Sequence, residues 1–158
     1  MKTIIVYDSV YGNTEEIAKA IGNAISDEIK VVRVSAIDFA ELHRIDLLIV
    51  GSPIHGGRPT PAIQDFLNKV SETAIRGINV AAFDTRYSTR LVRIFGYAAE
   101  KIAKTLKAKG FAIILPPESF FVKSKEGPLK DGELKHDGNW AKEIAKQSGS
   151  GAQNVQYN

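Results

Sequence analysis

The stretch TIIVYDSVYGNT (residues 3–14) passes from an apolar β-branched run through a short polar loop into a segment with apolar residues at helical spacing. Runs such as residues 3–7 are typical of buried strands. Asn13 or Thr14 is the expected helix cap. The next two residues, Glu15 and Glu16, are favourable in the first turn of a helix. The stretch therefore predicts a strand, a tight loop and a helix, which is the first unit of an α/β domain.

The rest of the chain repeats this alternation. Further strands are predicted at residues 29–35, 45–53, 78–83 and 111–115, with residues 118–122 able to resume the last one. Further helices are predicted at residues 61–70, 91–109 and 139–146. Strands alternating with helices predict an α/β fold, a doubly wound five-stranded parallel sheet of order 2-1-3-4-5. We predict one domain over residues 1–147 and a flexible tail over 148–158, which is poor in apolar residues.

Composition narrows the function. The 158 residues include no cysteine, so disulfides, thiolate catalysis, iron–sulfur clusters and Cys-ligated zinc are excluded. His43, His55 and His136 show no ligand spacing with carboxylates, and no metal site is predicted. No apolar run approaches the roughly 18 residues that span a bilayer, so we expect a cytoplasmic protein without a transmembrane segment. Any redox chemistry must come from a bound cofactor.

The distribution of charge says less about function than the composition does. Lys+Arg 21 against Asp+Glu 18 leaves a net charge of +3, too small a surplus to indicate nucleic acid. Between residues 87 and 110 the only acid is Glu100, and the basic residues are Arg90, Arg93, Lys101, Lys104, Lys107 and Lys109. This stretch is either the solvated face of a helix or a docking surface for an acidic partner, and the sequence leaves both readings open.

In sheets of this order, ligands lie beyond the carboxyl ends of the strands, between strands one and three. Three predicted loops meet there. In the first, the hydroxyls of Ser9 and Thr14 and the amides of a helix N-terminus can hold a phosphate. The alternative is an ordinary capped turn, and the loop lacks both the NTPase P-loop pattern and the GxGxxG of a dinucleotide site.

The other two loops suit a flat ring. Gly56 and Gly57 let the backbone approach such a ring closely, and Ile54 and His55 can lie against its face. After the fourth strand, Tyr87 could stack on an aromatic cofactor and Arg86 could meet an anionic oxygen. Turn-rich connections without a special role are the alternative for both loops.

Together, SVYGNT (residues 9–14), GSPIHGG (51–57) and FDTRYSTR (83–90) resemble the flavodoxin family over roughly residues 1–147. The resemblance implies a flavodoxin-like fold, one non-covalent FMN and service as a one-electron carrier. By position, the residues implied to hold the FMN phosphate are Ser9, Tyr11, Gly12, Asn13 and Thr14. Those implied to enclose the isoalloxazine ring are Ser52, Pro53, Ile54, His55, Gly56, Gly57, Asp84, Thr85, Arg86 and Tyr87.

The chain departs from that family in its charge. Electron-carrying flavodoxins are strongly acidic, whereas this chain is basic and has Arg58, Arg86 and Arg90 predicted near the site. Arginines stabilise an anionic reduced flavin, so we expect a higher potential than in acidic relatives. The expected partner is a redox protein, with an acidic surface as one possibility.

Two alternatives to a carrier stay open at this stage. One is a flavodoxin-fold enzyme, such as a quinone reductase or a relative of the menaquinone-dependent protoporphyrinogen oxidase. The other is a flavin-free binding module on the same fold.

Overall fold

The computed structural model describes residues 1–25, 28–70, 78–87 and 97–154. The strands are β1 (Lys2–Tyr7), β2 (Glu28–Arg33), β3 (Leu47–Pro53), β4 (Asn79–Tyr87), β5 (Ala112–Ile113) and β6 (Glu118–Val122). The helices are α1 (Asn13–Ala24), α2 (Pro61–Lys69), α3 (Ala98–Ala108) and α4 (Glu133–Asn154), with 3-10 turns at Val34–Ala36 and Phe39–Arg44. All pairings between these strands are parallel and their order is β2-β1-β3-β4-β5, which confirms the predicted doubly wound sheet.

Both faces of the sheet are buried. Alternate residues of each central strand point to opposite sides and therefore join two different core layers. On β1, Ile4 and Val6 join the core layer that includes residues of α2 and α3. Ile5 and Tyr7 join the layer that includes residues of α1 and α4. Central strands buried on both faces explain why the apolar runs of the sequence are nearly continuous.

The fifth strand of the sheet is interrupted. β5 pairs only with Asn79 and Val80 of β4, and β6 resumes the pairing further along, with Phe83 opposite Glu118. Pro116 and Pro117 lie between the two segments. Proline has no amide to donate to a ladder, which accounts for the break. The expectation that residues 118–122 resume the strand is confirmed.

β4 is longer than predicted, and this changes the third loop. The sequence places the end of the strand at Phe83, but β6 gives the next residues a partner, so the strand runs to Tyr87. Asp84, Thr85 and Arg86 are therefore strand residues rather than loop residues. Residues 88–96, which include Arg90, Arg93 and the first part of the predicted helix 91–109, lie outside the described residues.

The last helix is also longer than predicted. α4 begins at Glu133, directly after Gly132, rather than at Asn139. Its backbone is helical through Asn154, across the start of the predicted flexible tail, while the domain boundary at residue 147 stays a prediction. Gly138 and several charged residues dilute the apolar pattern, which hides the helix start from a reading of periodicity. In the described part of the chain, no helix is both long and apolar enough to cross a membrane.

Candidate functional site

A cavity of about 500 Å³ lies at the carboxyl edge of β1, β3 and β4. Its volume falls within the usual range for small-molecule sites, roughly 300–1,000 Å³. The residues that line it are Ser9, Val10, Tyr11, Asn13, Thr14, Pro53, Ile54, His55, Gly56, Gly57, Thr85, Arg86, Tyr87, Val122 and Lys125. The fold thus brings the three predicted segments together around one space, and of the predicted site residues only Gly12, Ser52 and Asp84 do not line it.

The first wall of the cavity is the β1–α1 loop. Ser9 Oγ accepts the amide of Gly12 at 3.0 Å and that of Glu15 at 3.4 Å, so Ser9 supplies the acceptor at the start of α1. The residue before the helix is Gly12, whose φ is 93°, and it makes no side-chain cap. The prediction that Asn13 or Thr14 caps the helix is therefore wrong, because both already lie inside it.

Inside the first turn of α1, Thr14 Oγ1 lies 2.7 Å from Thr85 Oγ1 in a buried contact. This hydrogen bond joins the first wall to the end of β4. The first amides of a helix have no acceptor within the helix itself. At α1 the amides of Gly12 and Glu15 already donate to Ser9 Oγ, whereas Asn13 and Thr14 line the cavity, so their amides are the ones available to an anion bound there.

Asp8 holds the β1–α1 loop in place through hydrogen bonds of its carboxylate. One carboxylate oxygen accepts the Ser9 amide at 2.9 Å and Arg33 Nη1 at 3.3 Å, and the other accepts the hydroxyl of Thr60. Arg33 Nη1 also donates to the Ser9 carbonyl at 3.0 Å. Asp8 therefore links β2, the first loop and the segment before α2, a role that sequence reading missed because Arg33 and Thr60 are remote from Asp8 in the chain.

The second wall is a two-residue turn after β3. The His55 amide donates to the Arg58 carbonyl at 2.7 Å, and the Arg58 amide donates back to His55 at 3.2 Å. Between them Gly56 and Gly57 have φ values of 59° and 76°. Two consecutive left-handed residues match the type I′ hairpin turn, which favours glycine at both positions. The double glycine predicted to bring backbone close to a ligand does line the cavity.

The third wall is the end of β4. The guanidinium of Arg86 lies 3.7 Å from the ring centre of Tyr97 and 4.7 Å from that of Phe121. Arg86 Nε is buried and has no hydrogen-bond partner among the described residues. Cation–π contacts on two rings therefore hold this charge in the wall. Tyr87 is 45% exposed beside it, at the rim of the cavity.

Ser52 and Asp84 stand behind the walls rather than in them. Ser52 Oγ donates to the Pro53 carbonyl at 2.8 Å and accepts the Thr60 amide at 3.0 Å. Asp84 is fully buried and accepts the amide of Ala99, in the first turn of α3, at 2.9 Å. Burial raises the pKa of Asp84 to about 6 despite this hydrogen bond. Both residues thus support the surrounding backbone instead of facing the cavity.

A fourth wall was missed by the sequence reading. It is the loop over residues 123–128, which contributes Lys125 and follows Val122 at the end of β6. The loop is closed by the Lys123 amide donating to the Pro128 carbonyl at 2.8 Å, and Asn13 Nδ2 donates to the Glu126 carbonyl at 3.1 Å. The sequence reads here as an exposed loop, and only the pairing of β6 with β4 carries it to the cavity.

The basic stretch of the sequence divides into two groups. Lys101 Nζ donates to the Gly57 carbonyl at 2.7 Å, and Lys109 Nζ donates to the Leu67 and Val70 carbonyls at the end of α2. Lys104 and Lys107 are exposed on α3. Part of the charge predicted for a solvated or docking face therefore stabilises internal backbone. No group of three or more His, Asp or Glu residues in the described ranges is placed to hold a metal.

Comparison with known proteins agrees with this architecture. A family model described as a flavodoxin domain matches residues 4–114. A probable flavodoxin 1 of Bacillus subtilis is 26% identical over 127 residues, which are 75% of this chain and 80% of that protein. An uncharacterized protein of Methanocaldococcus jannaschii is 32% identical over 115 residues, which are 72% of this chain and 71% of that protein.

Among solved structures, a flavodoxin from the domain Archaea superposes with a TM-score of 0.79 at 24% identity, covering 94% of this chain and 99% of that one. Its likeness extends to nearly the whole of both chains, beyond the segment that the family model matches. The match of residues 4–114 to the flavodoxin-domain family model, together with the sheet order, shows that this chain belongs to the flavodoxin family.

Proposed function

We propose that this protein binds one FMN in the cavity and serves as a one-electron carrier. The observation that carries the proposal is the cavity itself, which has amides of a helix N-terminus on one side and a double-glycine turn with mainly apolar neighbours on another. These are the two chemistries that a phosphate and a flat aromatic ring require. When bound, FMN supplies the redox chemistry that a chain without cysteine lacks.

The residues of the chain then bind and orient the cofactor. Ser9, Thr14 and the amides around them would hold the phosphate. The backbone of Gly56 and Gly57, with Ile54 and Tyr87, would bound the ring. Tyr11 is 49% exposed and Val10 is 60% exposed, both on the cavity surface, so a bound flavin would cover apolar area that is otherwise open to water.

Retention of FMN tests the proposal. We expect the purified protein, after incubation with FMN and removal of the excess, to keep the visible flavin bands. We also expect FMN to bind roughly 100-fold more tightly than riboflavin, because only FMN has a phosphate for the α1 amides. Absorbance during flavin titration measures both. Equal affinities for FMN and riboflavin would contradict the assigned phosphate end.

Stepwise reduction of the loaded protein separates a carrier from the alternatives. A one-electron-reduced form that accumulates during titration with dithionite supports the carrier. Passage straight to the two-electron-reduced form, with turnover of a quinone by NAD(P)H, would favour the enzyme. A protein that keeps no flavin would favour a binding module.

Charge around the cavity sets an expectation for the potential. Arg86 lies in one wall and Lys125 in another, and both would favour extra negative charge on a bound flavin. The exposed cations Arg58 and Lys125 also favour an acidic protein surface as the redox partner. From the positive charges of Arg86 and Lys125 in the cavity walls, we infer that the flavin potential is higher than it would be with carboxylates at these two positions.

Reversal of either charge tests this inference. Arg86→Glu and Lys125→Glu are each expected to lower the potential by about 20–60 mV, because a carboxylate repels the added electron. Lys107→Glu is the matched control, since it makes the same charge change in the last turn of α3, the end of the helix farther from β4's carboxyl edge. A higher potential in Arg86→Glu, or equal shifts in all three variants, would show that the wall charges do not set the potential.

A further inference from the structure

Lys101 joins α3 to the double-glycine turn. Its Nζ lies 2.7 Å from the carbonyl oxygen of Gly57, 44 residues earlier in the chain. The side chain is half-buried, in the second turn of the helix. Gly57 lines the cavity, so a residue that is not in the cavity wall is bonded directly to one that is.

The turn has a particular need for such a contact. Gly56 and Gly57 are consecutive glycines, each with a positive φ, and glycine has more conformations to lose than any other residue. Two backbone hydrogen bonds between His55 and Arg58 close the turn from within. The hydrogen bond from the Lys101 ammonium to the Gly57 carbonyl is a third restraint on the turn. It is charge-assisted and comes from a different element of the fold.

We propose that Lys101 is a positioning residue for the cofactor site, because it holds the His55–Arg58 turn in the form that lines the cavity. The inference rests on the FMN-binding function proposed above and adds the group that keeps one wall ready for the ring. A wall held in its binding conformation before the ligand arrives lowers the entropy lost on binding.

The opposing reading is that Lys101 belongs to a solvated basic face and acts only through its charge. Lys104 distinguishes the two, since it follows one turn later on α3, carries the same charge and is exposed. Lys101→Met removes both the charge and the donor, Lys101→Arg keeps both, and Lys104→Met removes an equal charge without touching the turn.

The first measurement needs no cofactor. In FMN-free protein, NMR hydrogen exchange of the His55 and Arg58 amides reports how firmly the turn is closed. We expect exchange at both amides to be about 5–10-fold faster in Lys101→Met, and close to wild type in Lys101→Arg and Lys104→Met. Unchanged exchange in Lys101→Met would overturn the anchoring role.

The second measurement is the FMN dissociation constant. We expect it to rise about 3–10-fold in Lys101→Met and to be largely restored in Lys101→Arg. Equal changes in Lys101→Met and Lys104→Met would mean that charge alone acts, which overturns the positioning role. If wild-type protein binds FMN and Lys101→Met binds it equally well, only this inference fails. If wild-type protein binds no FMN, the proposed function fails as well.

Discussion

Replacing Gly51 by alanine is expected to lower the free energy of unfolding by about 3 kcal/mol and to weaken FMN binding. A Cβ at this position would lie 2.1 Å from Cζ and 2.4 Å from Cε1 of Phe83, the residue beside it on β4. Phe83 is fully buried, with its ring 6.0 Å from those of both Phe120 and Trp140, so it has little room to retreat. Close packing between β3 and β4 therefore requires glycine here.

The effect of Gly51→Ala reaches the cavity because the same strands form its walls. The Gly51 carbonyl accepts the Asp8 amide at 3.1 Å, and β4 continues from Phe83 to Thr85, which is bonded to Thr14. Movement of either strand would disturb the first and third walls.

Urea unfolding and FMN titration measure these two effects. Gly138→Ala is the control, because a Cβ at this position meets no atom within 4 Å. Gly138 also lies in α4, and alanine is favoured over glycine in a helix. A Gly51→Ala protein as stable as wild type would show that the strands adjust without loss.

The central strands were predictable because buried parallel strands have to be apolar on both faces, and the alternation of strands with helices then indicated the sheet order. Leu47, Leu48, Ile49 and Val50 are all fully buried, and no helix surface or exposed strand would carry four such residues in succession. The glycines of the His55–Arg58 turn were similarly informative, since few conformations other than a turn with positive φ use two of them together. In both cases the local sequence admits one structural explanation.

The parts that escaped prediction depend on pairing between remote segments. Whether β4 stops at Phe83 or continues to Tyr87 is decided by β6, which lies some thirty residues further along the chain. The same pairing brings Lys125 to the cavity. Ser52 and Asp84 occupy positions that the family resemblance assigns to the ring, but neighbouring backbone amides bind their side chains. Hydrogen-bond partners of this kind cannot be read from residue type.

Asp137 gives the second large expected effect, on stability as a function of pH. It is fully buried in α4, and neither carboxylate oxygen has a hydrogen-bond partner among the described residues. Burial without a partner disfavours the charged form and raises the pKa of Asp137 from 3.8 to about 7. Between these two values the folded protein keeps a proton that the unfolded chain has released. Stability attributable to this group therefore falls as pH rises from about 4 to about 7.

Asp137→Asn is expected to remove this dependence while keeping the size of the side chain. Relative to wild type, the free energy of unfolding of the variant should improve by about 2–4 kcal/mol between pH 4 and pH 8, since each pKa unit corresponds to about 1.36 kcal/mol. Urea unfolding at a series of pH values measures the difference. Some slope will remain, because Asp84 also has a pKa raised by burial, to about 6.

Asp131→Asn is the control for Asp137→Asn, because it makes the same substitution at a side chain that is 97% exposed. Its pH dependence is expected to follow that of wild type. If Asp137→Asn also follows wild type across this range, the carboxylate of Asp137 must be solvated or paired in solution. The surroundings of Asp137 in α4, the helix that packs on α1, would then be more open to water than the buried arrangement allows.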